Sequence, residues 1–194
     1  MTSIRHNDGP DDALLDAARR CILDVGWKRT TLTDVARRAG VSRMTIYRRW
    51  PDMQTLLADL MTREWTGVVS DAALTTGTDP LARLADGVAG TVAGLRSNDL
   101  FRRIVAVDPE LLLPYLLDRR GRTQDSVLGL LEAAIGEGQA AGAVRPGDPA
   151  LLARSLVLAA HGFALSAQTM AADGPDEGEL VAELRALVES YLRP

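Results

Sequence analysis

Between Thr31 and Trp50 the chain reads TLTDVARRAGVSRMTIYRRW, two short amphipathic patterns on either side of Ala39-Gly40-Val41. The first opens at Thr31, has Asp34 three residues on, carries Leu32, Val35, Ala36 and Ala39, and closes at Gly40. A hydroxyl N-cap and an acid in the first turn suit the start of a helix, where free amides and the backbone dipole favour negative charge. Ser42 opens the second pattern, Arg43 to Trp50, and Pro51 marks its end. Leu32, Val35, Ala36, Val41, Ile46 and Trp50 supply the apolar contacts. Arg43 and Tyr47, like Met44 and Arg48, are four residues apart and share the adjoining outward surface. An aromatic and a methionine among arginines is an expensive surface if solubility is its only purpose.

Helical periodicity continues on both sides. Leu14, Ala17, Ala18, Cys21, Ile22 and Val25 form one stripe on a helix from about Asp12, ended by Gly26. From about Asp52, Leu56, Leu57, Leu60, Met61, Trp65 and Val68 face inward. The 75–80 loop signal TTGTDP is the best boundary between an amino-terminal module and the rest. Beyond it lie stripes from Leu81 to Val92, from Leu100 to Val107, and from Thr123 to Gln139, with Pro114 interrupting an apolar run from Leu111 to Leu117. Gly136-Glu137-Gly138 and Gly174-Pro175 are turn or helix-end signals. Ala150 to Ala167 is apolar on nearly all sides but contains Arg154, His161 and Gly162, as expected of a helix buried in protein and not in lipid. The last helix runs from about Asp176 to Tyr191 and starts with the capping-box pair Asp176 and Glu179. The expected fold is all-α, with about nine helices: a three-helix amino-terminal module over 11–68, its helix-turn-helix at 31–50, and a helical domain over 80–194.

Composition narrows the function. Of the 194 residues 46% are hydrophobic and 25% charged, which is globular composition, and the chain is long enough for a real core. One cysteine excludes an intrachain disulfide framework and a multi-cysteine metal site, and fits a reducing cytoplasm; Cys21, inside an apolar stripe, reads as a small buried hydrophobe. The tail from Met1 to Pro10 has no apolar segment and does not read as a secretory signal. The net charge is -4, yet Lys28 to Arg49 holds seven basic residues against Asp34 alone, a local patch of the kind that contacts nucleic acid. Enzyme readings find no support: His6 lies in the tail, His161 stands alone, and no glycine-rich phosphate loop or metal-ligand spacing occurs. No catalytic residue, metal or resident cofactor is expected.

The ordered set from Asp11 to Trp65, with its Thr-rich cap, Ala-Gly-Val-Ser turn, Thr-Ile-Tyr core and following Leu-Leu helix, resembles the TetR-type transcriptional repressors. The resemblance implies that three amino-terminal helices and the start of a fourth hold the helix-turn-helix against a DNA major groove. It also implies that the remaining helices form an effector pocket and that the last two build a dimer seam. By matching positions, Ser42 to Trp50 is the recognition helix, with Arg43, Met44, Thr45, Tyr47, Arg48 and Arg49 nearest DNA and Thr33 close by. Met53 departs from the pattern, standing where the family commonly has a phosphate-touching lysine.

Physical roles can be set beside those positions. The helix N-termini at Thr31 and Ser42 can aim amides at phosphate, and Tyr47 with one or more of Lys28, Arg29 and Arg49 can clamp the backbone. Arg43 suits a bidentate contact to guanine, Thr45 a base edge, and Met44 a thymine methyl. Thr31 and Ser42 also serve as plain helix caps. Trp65, Phe101, Tyr115, Gln124, His161 and Phe163 are candidate walls for a small, largely hydrophobic effector. Leu156, Ala159, Leu180, Leu184, Leu187 and Tyr191 are candidates for a homodimer seam. The expected partners are double-stranded DNA with an inverted repeat, a second copy of the chain and the effector, with no membrane. The rival readings are an activator with the same module and a dimeric binding protein that has lost DNA affinity.

Overall fold

The computed structural model describes residues 10–73, 77–172 and 174–194. The expected tail up to Gly9, with His6, and Thr75-Thr76 of the expected boundary loop lie outside the described residues. Among the described residues the chain is all-α, with nine α-helices and no strand. They are α1 (Pro10–Val25), α2 (Leu32–Ala39), α3 (Arg43–Arg49), α4 (Met53–Ala73), α5 (Pro80–Ser97), α6 (Asp99–Val107), α7 (Arg122–Ala140), α8 (Pro149–Met170) and α9 (Glu177–Leu192). Two compact units result, one from residues up to Glu64 together with Asp99–Pro114, the other from Trp65–Asn98 and Tyr115–Pro194.

The core of the first unit is made of Ile22 from α1, Val35 from α2, Ile46 and Trp50 from and just after α3, and Leu56 and Leu60 from α4, all fully buried. Leu100 and Ile104 of α6 are equally buried and pack with α1. The sequence boundary at 75–80 places α6 with the carboxy-terminal helices; its contacts instead place it here, because Leu100, Phe101 and Ile104 line one edge that matches the apolar stripe of α1. Asp108, just past α6 and almost fully buried, accepts a hydrogen bond from the Trp27 backbone N–H at 3.1 Å. Two residues further, Glu110 pairs with Lys28 at 2.7 Å. Cys21 is buried, and burial pushes its thiol pKa up, as befits a packing residue.

In the second unit α5 is the central helix, packed by α7, α8 and α9. Its Leu84, Ala85, Val88 and Val92 meet Leu152, Ala153 and Leu156 of α8 and Leu184, Val188 and Leu192 of α9 in one buried core. The capping box of α9 forms as expected: Asp176 N donates to Glu179 Oε2 at 2.9 Å and Glu179 N to Asp176 Oδ1 at 2.8 Å. At the other end of α9, Arg145 donates from its backbone N to Leu192 O and from Nε to Tyr191 O, and its guanidinium lies 4.5 Å from the Tyr191 ring centre. These contacts satisfy the last carbonyls of the helix.

Three expectations are corrected. Gly136 and Gly138 do not end a helix but lie inside α7, and a Cβ on Gly138 would stand 2.5 Å from Val144 Cγ2. The glycine is there to let the returning chain approach. Pro114 does not merely break an apolar run, since it starts a π-helical turn over Pro114–Asp118. The third concerns α8, which is apolar all round but buried on one side only, leaving Leu151, Leu158, Ala159, Gly162 and Met170 exposed. By length and composition α8 could cross a membrane, yet here it packs on α5, α7 and α9.

The Asp108 contact generates the first expected outcome. Asp108→Ala leaves the Trp27 N–H without its acceptor and should cost roughly 1 to 3 kcal/mol, while Asp108→Asn, which keeps a carbonyl acceptor, should cost less. Urea unfolding followed by circular dichroism measures both; unchanged midpoints would show that the contact is incidental.

Candidate functional site

The exposed end of the first unit is built by two capped helices. Thr31 Oγ1 accepts from Asp34 N at 3.2 Å and donates to Asp34 Oδ2 at 2.6 Å. That hydroxyl, with the Arg37 guanidinium at 2.7 Å, holds the Asp34 carboxyl below its ordinary range. Gly40 then takes φ 71°, a left-handed conformation that costs an L side chain about 1 to 2 kcal/mol, and its N–H closes onto Ala36 O and Arg37 O. Among the described residues nothing crowds it, so only the backbone demands glycine. Ser42 Oγ accepts from Thr45 N at 3.1 Å and lies 2.9 Å from Thr45 Oγ1, so both hydroxyls are engaged at the start of α3.

Because Ile46 and Trp50 point inward, the rest of α3 points outward. Met44 is 78% exposed and Tyr47 48%, and Arg43 and Arg48 are exposed and make no ion pair among the described residues. These four share one surface, with Thr45 half-buried beside them and Thr33 half-buried on α2. The other sequence candidates are already engaged. Arg49 turns back to Asp11 at 2.7 Å and lies 5.8 Å from the Trp50 ring. Lys28 is paired with Glu110, which raises its pKa, and Arg29 Nε donates to Val25 O at 2.8 Å, capping α1. Met53 is half-buried at the start of α4.

The second unit holds a cavity of about 260 Å³ between the end of α4 and helices α5, α7 and α8. Its walls include Val69, Leu84, Val88, Leu131 and Leu156, with Arg83 and Thr91 as the polar lining residues. None of Trp65, Phe101, Tyr115, Gln124, His161 or Phe163 lines it. Phe101 is buried in the first unit and Trp65 is half-buried on α4. Aromatic and polar side-chain type points to the wrong walls, because the cavity is aliphatic. The legible signal was helical spacing: 84, 88 and 91 on α5 and 127, 131 and 134 on α7 each form one row.

Tyr115, Gln124 and His161 are nevertheless brought together. Gln124 Oε1 accepts from Gly121 N at 2.7 Å, which fixes the amide, so its Nε2 donates to Tyr115 O at 3.1 Å and to His161 Nε2 at 3.3 Å. A donor facing Nε2 places the imidazole proton on Nδ1. Phe163 is half-buried further along α8. At the proposed seam, Leu184 is fully buried and Leu156 only 3% exposed, so both belong to the unit's own core and not to an outer surface. An apolar helix leaves its rotation undetermined until its neighbours are placed. Leu187, Tyr191 and Ala159 are exposed and Leu180 half-buried.

Comparison with known proteins agrees with this layout. Residues 14–60 match the family model described as bacterial regulatory proteins, tetR family. An HTH-type transcriptional regulator of Mycobacterium tuberculosis is 35% identical over 188 residues, covering 96% of this chain and 97% of that protein. Among solved structures, a protein of unknown function from Rhodococcus sp. RHA1 superposes with a TM-score of 0.74 at 23% identity, over 100% of both chains. AibR, solved in complex with isovaleryl coenzyme A and operator DNA, does so with a TM-score of 0.59 at 20% identity, over 96% of this chain and 100% of that one. The chain belongs to the TetR family of transcriptional regulators, DNA-binding proteins and not enzymes.

Burial lowers the His161 pKa from its ordinary value of 6.5. The folded chain therefore takes up this proton less readily than the unfolded chain, so stability is full above pH 6.5 and falls as pH drops through the folded-state pKa. Urea midpoints between pH 7.5 and about 5 should decline less in His161→Gln than in the parent chain. Nitrogen chemical shifts should show the Nδ1-protonated neutral ring at pH 7. Parallel declines in both proteins would remove His161 from the pH response.

Proposed function

We propose that the chain is a ligand-responsive repressor that binds an inverted-repeat operator as a homodimer in the cytoplasm, one α3 to each major-groove half-site. The observation that carries this reading is the exposed quartet Arg43, Met44, Tyr47 and Arg48 on a capped helix, whose arginines make no ion pair among the described residues. Arg43, at the first turn of α3, is placed to reach a guanine with its two-pronged donor set, and Met44 to pack on a thymine methyl. Thr45 offers its methyl, its hydroxyl being turned to Ser42. Tyr47, Arg48 and the amides behind Thr31 and Ser42 hold phosphates, and Thr33 stands alongside. Arg49, Lys28 and Arg29 join them by exchanging their present partners.

The exposed apolar stripes of α8 and α9 are the proposed seam, because water is a poor partner for Leu151, Leu158, Leu187 and Tyr191. Ala159 permits close approach and Leu180 sits at its edge. The aliphatic cavity of the second unit is the proposed effector site. A small, largely hydrophobic ligand that favours the chain's DNA-free form must bind more weakly when operator is present, by reciprocity. AibR, which was crystallised with both a ligand and its operator, is a precedent for both partners on one such fold.

Selection of duplexes from a random pool should return an inverted repeat, and affinity should fall with rising salt as counterions return to phosphate. Arg43→Ala should relax preference at one base pair per half-site at a cost of roughly 1 to 3 kcal/mol, whereas Tyr47→Phe should weaken related sequences evenly. Equal losses of Arg43→Ala on selected and random DNA would move that residue to the backbone.

Leu158→Glu with Leu187→Glu should convert a dimer to monomer in sedimentation velocity, while the fold persists by circular dichroism. A dimer that survives both changes places the seam elsewhere.

A further inference from the structure

The lining of the cavity is lopsided. Val69, Leu84, Val88, Leu131 and Leu156 are aliphatic, and Thr91 spends its hydroxyl proton on Gly87 O at 2.8 Å. Among the described residues Arg83 is the one charged residue on the wall, and it is exposed, so it stands where the cavity meets water. It makes no ion pair among the described residues, and its one described hydrogen bond is a long one from Nη1 to Gly77 O, 3.4 Å. Asp79, one turn earlier, directs its carboxylate to Leu81 N at 3.0 Å. Arginine carries five N–H donors in a planar fork, and most of these are left for something else.

Resting on the effector site proposed above, we infer that the ligand is an aliphatic monocarboxylate, its chain in the α4–α5–α7–α8 cavity and its carboxylate on Arg83. Three features select that class. Away from Arg83 the walls are aliphatic apart from Thr91, so they offer an alkyl chain transfer from water and a polar ligand little to hydrogen-bond. A single guanidinium balances a single negative charge and matches a carboxylate two bonds to two, whereas a phosphate monoester brings nearly two charges. The volume, about 260 Å³, lies below that of drug-sized pockets.

Calorimetry on the full chain with octanoate, octanol, octylamine and octyl phosphate tests this. Octanoate should bind roughly tenfold or more tighter than octanol and octylamine, the worth of one charge-assisted hydrogen bond. Arg83→Gln should bring octanoate down to the level of octanol, and Arg83→Lys should retain part of the difference. Gly87→Phe fills the space from within, since a Cβ at Gly87 meets nothing within 4 Å, and should abolish binding of acid and alcohol alike. The inference is overturned if octanoate fails to bind, if it binds no better than octanol, if octyl phosphate exceeds it, or if either Arg83→Gln or Gly87→Phe leaves its affinity unchanged. Operator release, followed by fluorescence anisotropy, is a separate readout. Arg83-dependent octanoate binding without release upholds the ligand class and removes the effector role instead.

Discussion

Seven residues are far fewer than the roughly 12 to 15 at which an isolated helix becomes marginal in water, so α3 exists only because Ile46 and Trp50 are buried. The rest of the first unit follows from that requirement. Ser42 supplies the cap that a short helix cannot do without, and Gly40 sets the turn that brings Val35 and Ile46 into one core. Trp50 ends the helix, and its indole N–H donates to Asp59 Oδ2 at 2.8 Å, tying α3 to α4. With the inward positions taken by apolar side chains, Arg43, Met44, Tyr47 and Arg48 are turned to solvent, while Arg49 folds back to Asp11.

The basic residues near α3 divide into two groups. Arg37, Arg38, Arg49 and Lys28 are each held by a carboxylate, from Asp34, Asp24, Asp11 and Glu110 in turn. Water and salt screen pairs as exposed as these, so the carboxylates hold the cations only loosely. Arg43 and Arg48 have no such partner among the described residues. The net charge of -4 is thus a poor guide to what the surface of α3 presents.

Local chemistry was legible in the sequence wherever one residue decides the outcome. The caps at Thr31, Ser42 and Asp176, the stop at Gly26 and the turn at Gly40 could each be read from a hydroxyl, a carboxylate or a glycine beside an apolar period. The outward residues of α3 followed from the same spacing. Choices made by tertiary contact were not legible. The periodicity of α9 allows Leu184 or Leu187 to face the core, and only its packing on α5 selects Leu184. Likewise the cavity walls at 84, 88, 127 and 131 look in sequence like ordinary core rows, and Arg83 like ordinary surface. Gly138 reads as a helix end until Val144 is seen against it.

The return of residues 99–114 to the first unit has a consequence for how such proteins exchange parts. A first unit exchanged between relatives just before α5 would arrive without its own α6. The incoming α1 would then have to accept the host's Leu100, Phe101 and Ile104, and the incoming Trp27 N–H would depend on a foreign Asp108. Recombination that leaves the packing intact is therefore easiest at the exposed positions 43, 44 and 48 of α3 and hardest at the apparent border before α5, where the chain is continuous but the core is not.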